Sequence, residues 1–209
     1  MQEYFGHLSK DKKLKKLLDV HGPFELKKEK DLCIYLCGSI MSQQLSTKVA
    51  KVIYNRFLEL YGGAKPLPEE IISTSPETLR AIGLSNAKVK YIQNVADFAV
   101  KKGMSQKVIS GMTDDEVINY LTEIKGVGRW TVEMLLMFAL QREDVFPADD
   151  LGIQQAMIGL YKLNCDNKKQ FKEDMHKIAK KWSPYRTYAS LHLWRWKDAV
   201  KETPSKSLK

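Results

Sequence analysis

The chain is short of the residues that build disulfide scaffolds and metal centres. Three cysteines, Cys33, Cys37 and Cys165, stand in 209 residues, too few and too oddly placed for a disulfide framework. Cys33 and Cys37 lie four apart inside an apolar run, a spacing that predicts one buried helical face rather than a metal site. The four histidines, His7, His21, His176 and His192, show no ligand spacing and are expected to be structural or solvated. No apolar run reaches the length that crosses a bilayer, and the opening MQEYFGHLSKDKK has no signal-peptide core, so an intracellular, soluble protein without a membrane partner is expected. Strict two-residue alternation is missing as well, which predicts essentially no sheet. There are no internal repeats, long linkers or low-complexity tracts.

What is present is helical periodicity and positive charge. DKKLKKLLDVHG, DLCIYLCGSIMSQQLSTKVAKVIYNRFLELYGG and PETLRAIGL place apolar residues three and four apart, as helices with one core-facing side do. Ser75-Pro76-Glu77 has the form of an N-cap followed by proline at the first helical position. Thr113 with Glu116 three residues later forms a capping box that opens a further helix. Punctuation falls at His21-Gly22-Pro23, Gly62-Gly63, Pro66 to Pro68, Gly83, Gly103 and Gly111. A 44% hydrophobic content supports a real core, and the length suits one compact domain or two small lobes. The formal charge of +9 points toward a polyanionic partner.

The most informative stretch is LTEIKGVGRWTVEMLLMFALQREDVFPADDLGIQQ, Leu121 to Gln155. An amphipathic run beginning near Thr113 ends at Leu121 and Ile124, and Lys125-Gly126-Val127-Gly128 interrupts it. Two glycines one residue apart permit a tight turn and a close backbone approach to a partner. A strongly apolar helix is predicted from Arg129 to Leu140. The backbone N–H groups of the turn and of that helix's first turn have no intrahelical acceptor and sit at the positive end of the dipole, which suits a phosphate. The helix rises about 18 Å, and the ten residues from Gln141 to Asp150 can reach about 30 Å when extended, enough to return Asp150 to the neighbourhood of Trp130. Asp149 or Asp150 then caps a helix from Leu151 to Leu163. Capping alone is the ordinary reading of two aspartates before a helix. The hairpin about 20 residues upstream turns that reading toward a working carboxylate in a cleft.

IKGVGRWT followed by FPADDLGIQQ resembles the helix-hairpin-helix motif and aspartate of the HhH-GPD DNA glycosylase superfamily, and most closely its DNA-3-methyladenine glycosylase II branch. SIMSQQLSTKVA and YASLHLW extend the resemblance over roughly residues 30 to 200. It implies an all-α fold of two helical lobes with an active-site cleft between them. Residues near 40 to 140 would form the lobe carrying the hairpin, residues 1–39 with 141–200 the other, and 201–209 a frayed tail. It implies a monofunctional enzyme of base excision repair that flips an alkylated purine out of damaged double-stranded DNA and hydrolyses its N-glycosidic bond. Asp150 takes the catalytic position.

Other residues carry over from the same resemblance. Gln43, Gln44 and Leu45 match the segment that wedges into the duplex; read alone, they would more readily be a packed leucine beside solvated glutamines. Gly126, Val127 and Gly128 would grip phosphate through N–H groups, with Lys125 and Arg129 adding charge. Lys88 follows a second short turn and either touches the far side of the duplex or is merely solvated. Trp130 and Trp194 are candidate pocket walls for a cationic base, Trp194 being equally readable as core. Leu151 stands where some relatives have tyrosine. Thr122, Ile124 and Val127 match carbonyls that hold a monovalent cation, sodium or potassium, in the family. The C-terminal cysteine cluster of iron–sulfur relatives is absent, so no such cluster and no required cofactor are expected. Bifunctional relatives place a Schiff-base lysine where this chain has Trp130, so water is the expected nucleophile. A monomer is expected. The competing readings are a non-catalytic helix-hairpin-helix DNA-binding module and a glycosylase for another class of lesion.

Overall fold

A computed structural model describes residues 3–27 and 29–202, with side chains described as far as residue 199. Among the described residues there is no strand, and thirteen α-helices follow one another in the sequence. The final stretch read as a frayed tail begins inside the last helix, which runs to Glu202, and otherwise lies outside the described residues. Among the described residues no helix is long and apolar enough to cross a membrane.

By packing, the chain divides into two units, one spanning 27–140 and the other joining the residues up to Leu26 to those from Gln141 onward. The first is built on α3 (Leu32–Ser42), whose sequence is apolar on nearly every side. A helix of that kind is stable only when surrounded. It packs against α4 (Thr47–Glu59), α7 (Asn86–Lys102) and α10 (Arg129–Phe138), and its Leu36, Cys37, Ile40 and Met41 are fully buried. Residues 27–39, expected in the other lobe, therefore belong with the hairpin: the apolar surface that encloses α3 comes from α4, α7 and α10. Cys33 and Cys37 are buried free thiols on that helix, and Cys165 is exposed. The short helices α5 (Pro68–Ser73) and α6 (Pro76–Ala81) pack on α7, α8 (Gln106–Ile109) follows it, and α9 (Asp114–Thr122) leads into the hairpin.

Local chemistry sets the boundaries. Ser75 caps α6, with Pro76 at its first position. Thr113 Oγ1 accepts from Glu116 N–H at 3.3 Å while Glu116 Oε2 accepts from Thr113 N–H at 2.7 Å, the reciprocal box read from the sequence. Two ends fall short of expectation. The α10 helix stops at Phe138, and α11 (Leu151–Tyr161) stops at Tyr161 because Lys162 turns left-handed at φ 59°.

The second unit comprises α1 (Glu3–Leu8), α2 (Lys12–His21), α11, α12 (Lys168–Ala179) and α13 (Arg186–Glu202), with one 3₁₀ turn at Lys180–Trp182. Its core gathers Leu8, Leu14, Leu18, Ile153, Met157, Met175, Trp182 and Leu193. Asp11 caps α2, and its Oδ2 also accepts from Tyr161 Oη at 2.8 Å and Trp182 Nε1 at 3.1 Å. Burial would raise this carboxyl, but the donated hydrogen bonds prevail and hold it below the usual carboxylate range. The helices α11 and α13 pack closely. Gly159 makes this approach possible, since a Cβ there would sit 2.9 Å from the Trp196 ring.

Candidate active site

The hairpin joins α9 to α10. Ile124 N–H donates to Leu121 O at 3.2 Å and Val127 N–H to Ile124 O at 3.0 Å, closing the turn, and the buried Val127 side chain anchors it. That corrects one expectation, because the Val127 amide is engaged within the turn rather than offered to phosphate. Gly126 has φ 106°, and a Cβ on it would lie 2.2 Å from Tyr91 Cγ, so neither the backbone nor the packing admits a side chain. Asn94 Nδ2 donates to the Lys125 carbonyl at 3.0 Å and fixes the turn from α7, leaving the Lys125 side chain exposed.

The α10 helix starts without a side-chain cap, its N-cap being the exposed Gly128. Asp11, Ser46, Ser85 and Asn167, by contrast, all cap the helices they precede. An uncapped N-terminus on an exposed turn is the arrangement that suits an anion. Arg129 is half-exposed, with Nε donating to Glu133 Oε1 at 3.0 Å, so its guanidinium is oriented by its own helix.

Trp130 lies in the first turn of α10 and is 42% exposed despite its size. It lines a cavity of about 560 Å³ with Tyr35, Ser39, Gln43, Gln44 and Phe138, a volume suited to a small aromatic ligand. Tyr35 Oη donates to Met134 O at 3.1 Å, and burial pushes its pKa up to about 12, so the phenol stays neutral. Tyr35, Ser39 and Phe138 escaped the sequence reading because they sit in apolar helical runs that look like ordinary core. Their one legible signal is that Tyr35 and Ser39 stand four apart on α3, and Trp130 and Phe138 eight apart on α10, so that each pair shares a helix face.

The wedge candidates follow α3. Gln43 lines the cavity, while Gln44 and Leu45 are exposed. Gln44 lies at φ 60°, a conformation whose cost for a non-glycine residue is about 1–3 kcal/mol. Lys88 Nζ donates to Met41 O at 2.9 Å and Gln43 O at 2.7 Å, so the side chain is held against the end of α3 rather than lying loose in solvent.

In the other unit Asp150 is the N-cap of α11. Its Oδ1 accepts from Ile153 N–H at 2.8 Å and from Trp194 Nε1 at 2.7 Å. Two donors converging on one oxygen fix the rotamer of the carboxylate at the positive end of a helix. Trp194 thus holds the acidic group, a function that neither the pocket-wall nor the core reading foresaw. Gly152 is part of the same construction, since a Cβ there would stand 2.9 Å from Trp194 Cδ1 and 3.0 Å from Asp150 Oδ1. The neighbouring Asp149 is exposed and paired with Lys172, which separates the two aspartates. Leu151 is 71% exposed. No cluster of His, Cys, Asp or Glu able to hold a metal ion occurs among the described residues.

The chain is 37% identical over 186 residues to DNA-3-methyladenine glycosylase 1 of Schizosaccharomyces pombe, covering 88% of this chain and 80% of that protein. It superposes on the structure of the Schizosaccharomyces pombe 3-methyladenine DNA glycosylase in complex with abasic DNA with a TM-score of 0.83, at 32% identity, covering 99% of this chain and all of that one. A DNA-3-methyladenine glycosidase from Bacillus halodurans gives a TM-score of 0.83 at 33% identity, covering 96% and 92% of the two chains. Residues 37–183, a span that includes both the hairpin and Asp150, match the HhH-GPD superfamily of base excision DNA repair proteins, and the chain belongs to that superfamily.

Proposed function

We propose that the protein is a monofunctional DNA glycosylase of base excision repair that hydrolyses the N-glycosidic bond of alkylated purines, of the 3-methyladenine and 7-methylguanine type, flipped out of duplex DNA. The observation that carries this reading is Asp150, an aspartate on which a backbone amide and an indole N–H converge. Relatives named 3-methyladenine glycosylases supply the substrate class.

Each step has a residue. The uncapped start of α10, with Lys125 and Arg129, grips the phosphate strand. The carbonyls of Thr122, Ile124 and Val127 are hard oxygen donors of the kind sodium or potassium takes. Ile124 O already accepts from Val127 N–H and retains a second lone pair for the ion. Bound there, the cation would add positive charge beside the strand. Gln43, Gln44 and Leu45 occupy the gap left by the flipped nucleotide. Trp130 and Tyr35 stack on the extruded base, and the electron-rich indole favours a cationic, alkylated ring. Asp150 stabilises the oxocarbenium-like transition state electrostatically and orients the attacking water.

Two absences of demand simplify the chemistry. An N3- or N7-alkylated purine already carries positive charge, so it departs without a general acid, and neutral Tyr35 need not supply one. No lysine is among the described residues lining the cavity, which supports hydrolysis over lyase chemistry. Product analysis on duplexes carrying defined lesions tests the reading: free 7-methylguanine without strand breaks, and no adduct trapped by borohydride, is expected. Strand cleavage with a trapped adduct would instead make the enzyme bifunctional, and binding without any base release would make it a DNA-binding module.

A further inference from the structure

The turn between α3 and α4 presents an exposed apolar side chain, Leu45, next to a residue in an unfavourable backbone conformation, Gln44 at φ 60°. Such a combination persists only where the surroundings over-determine it. Local bonding is thin, consisting of Gln43 N–H to Ile40 O at 3.3 Å and Leu45 N–H to Ser42 O at 3.1 Å. Gln43, the C-cap, carries no glycine-like freedom and leaves α3 in an extended conformation.

The missing restraint arrives from 45 residues away. Lys88 lies in the first turn of α7, and its ammonium donates to Met41 O and Gln43 O, the carbonyls on either side of the last residue of α3. A cation at this end of a helix meets the negative pole of the dipole and the orphan carbonyls together. Burial withdraws the group from water and lowers its pKa from the usual lysine value. Two of its three hydrogens are thereby committed inward, to the end of α3.

We propose that Lys88 is a positioning residue, clamping the end of α3 so that the Gln43–Leu45 turn stays poised to enter the duplex and fill the space of an extruded nucleotide. The proposal deepens the glycosylase reading and rests on it for the identity of the duplex partner.

The test uses Lys88→Met, which removes the ammonium, and Lys88→Gln, which keeps one donor. Each full-length variant is titrated to saturation onto a duplex carrying a tetrahydrofuran abasic analogue with 2-aminopurine opposite it, so that no base release is required. Wild type should raise the fluorescence as the turn unstacks the probe. Lys88→Met should lose at least about five-fold in amplitude at saturation, with Lys88→Gln in between. Single-turnover release of 7-methylguanine from duplex should fall in parallel.

A wild type giving no fluorescence rise overturns the proposal. So does Lys88→Met at full amplitude, or, should that variant not fold, Lys88→Gln at full amplitude. Unchanged amplitude with weaker binding and a salt slope reduced by about one would mark a phosphate contact instead and overturn it too. A wild type that gives the rise, loses it with Lys88→Met and releases no base supports the clamp while refuting the glycosylase reading.

Discussion

Trp194→Phe removes the indole N–H, and the ring atoms that carry it, from the candidate active site. The indole N–H donates to Asp150 Oδ1 at 2.7 Å, while the second donor, Ile153 N–H at 2.8 Å, is a backbone group that the substitution leaves alone. A hydrogen bond to a charged partner contributes about 1.5–3 kcal/mol, or about 10- to 150-fold in rate if all of it acts in the transition state. Because the remaining amide still fixes the carboxylate oxygen, the lower part of that range applies, about 10- to 30-fold. The assay is single-turnover release of 7-methylguanine from duplex DNA, alongside an equilibrium binding titration. The rate should fall while affinity for an abasic-analogue duplex stays within about two-fold, since the lost bond acts on the chemical step. In an Asp150→Ala background the same substitution should cost less than about two-fold, because the partner is gone. A Trp194→Phe enzyme within two-fold of wild type would refute the idea that this indole orients the carboxylate.

Other consequences are equally open to measurement. Gly126→Ala must displace Tyr91 and force a positive φ on alanine, together costing about 3 kcal/mol or more, which for a chain of this size lowers Tm by about 6–12 °C in a calorimetric scan. His192 is fully buried, and its burial with the nearby His21 and Arg195 charges pushes its pKa down to about 4. The unfolded state then takes up the proton first, so stability is lost as pH falls from about 6.5 toward 4, with a ceiling of about 3 kcal/mol. Thermal midpoints measured across that window should drop for wild type and flatten for His192→Gln, while an unchanged slope in the variant would exclude His192 as the source.

Much of the fold was legible because helices announce themselves locally. The 3.6-residue pattern, the Thr113–Glu116 box and the Ser75-Pro76 start are read from neighbours within one turn, and the structure forms them where expected. The hairpin was legible for the same reason. What stayed hidden was set by partners far along the chain. Gly126 requires its glycine because of Tyr91, Gly152 because of Trp194, and Lys88 is directed by carbonyls 45 and 47 residues away. An all-round apolar helix such as α3 declares that it is buried but not by which neighbours, which is why residues 27–39 were expected in the wrong unit. The wall residues Tyr35 and Phe138 illustrate the same limit, since an aromatic on a core helix reads identically whether it faces packing or a cavity. Residue type, cap position and distance from the hairpin narrow the choice to Asp149 or Asp150, and the family resemblance singles out Asp150, which caps α11. Trp194 as its partner is not legible, because a separation of 44 positions says nothing about which ring reaches the carboxylate.

The central claim is that a single carboxylate makes the glycosidic bond break. The most direct measurement is single-turnover base release by Asp150→Asn on a 7-methylguanine duplex, with binding to an abasic-analogue duplex measured in parallel. Asparagine can still accept from Ile153 N–H and Trp194 Nε1, so the fold and the DNA affinity should persist while base release falls by at least about 100-fold, as for removal of one electrostatic stabiliser of a charged transition state. Near-wild-type release by Asp150→Asn would contradict the account.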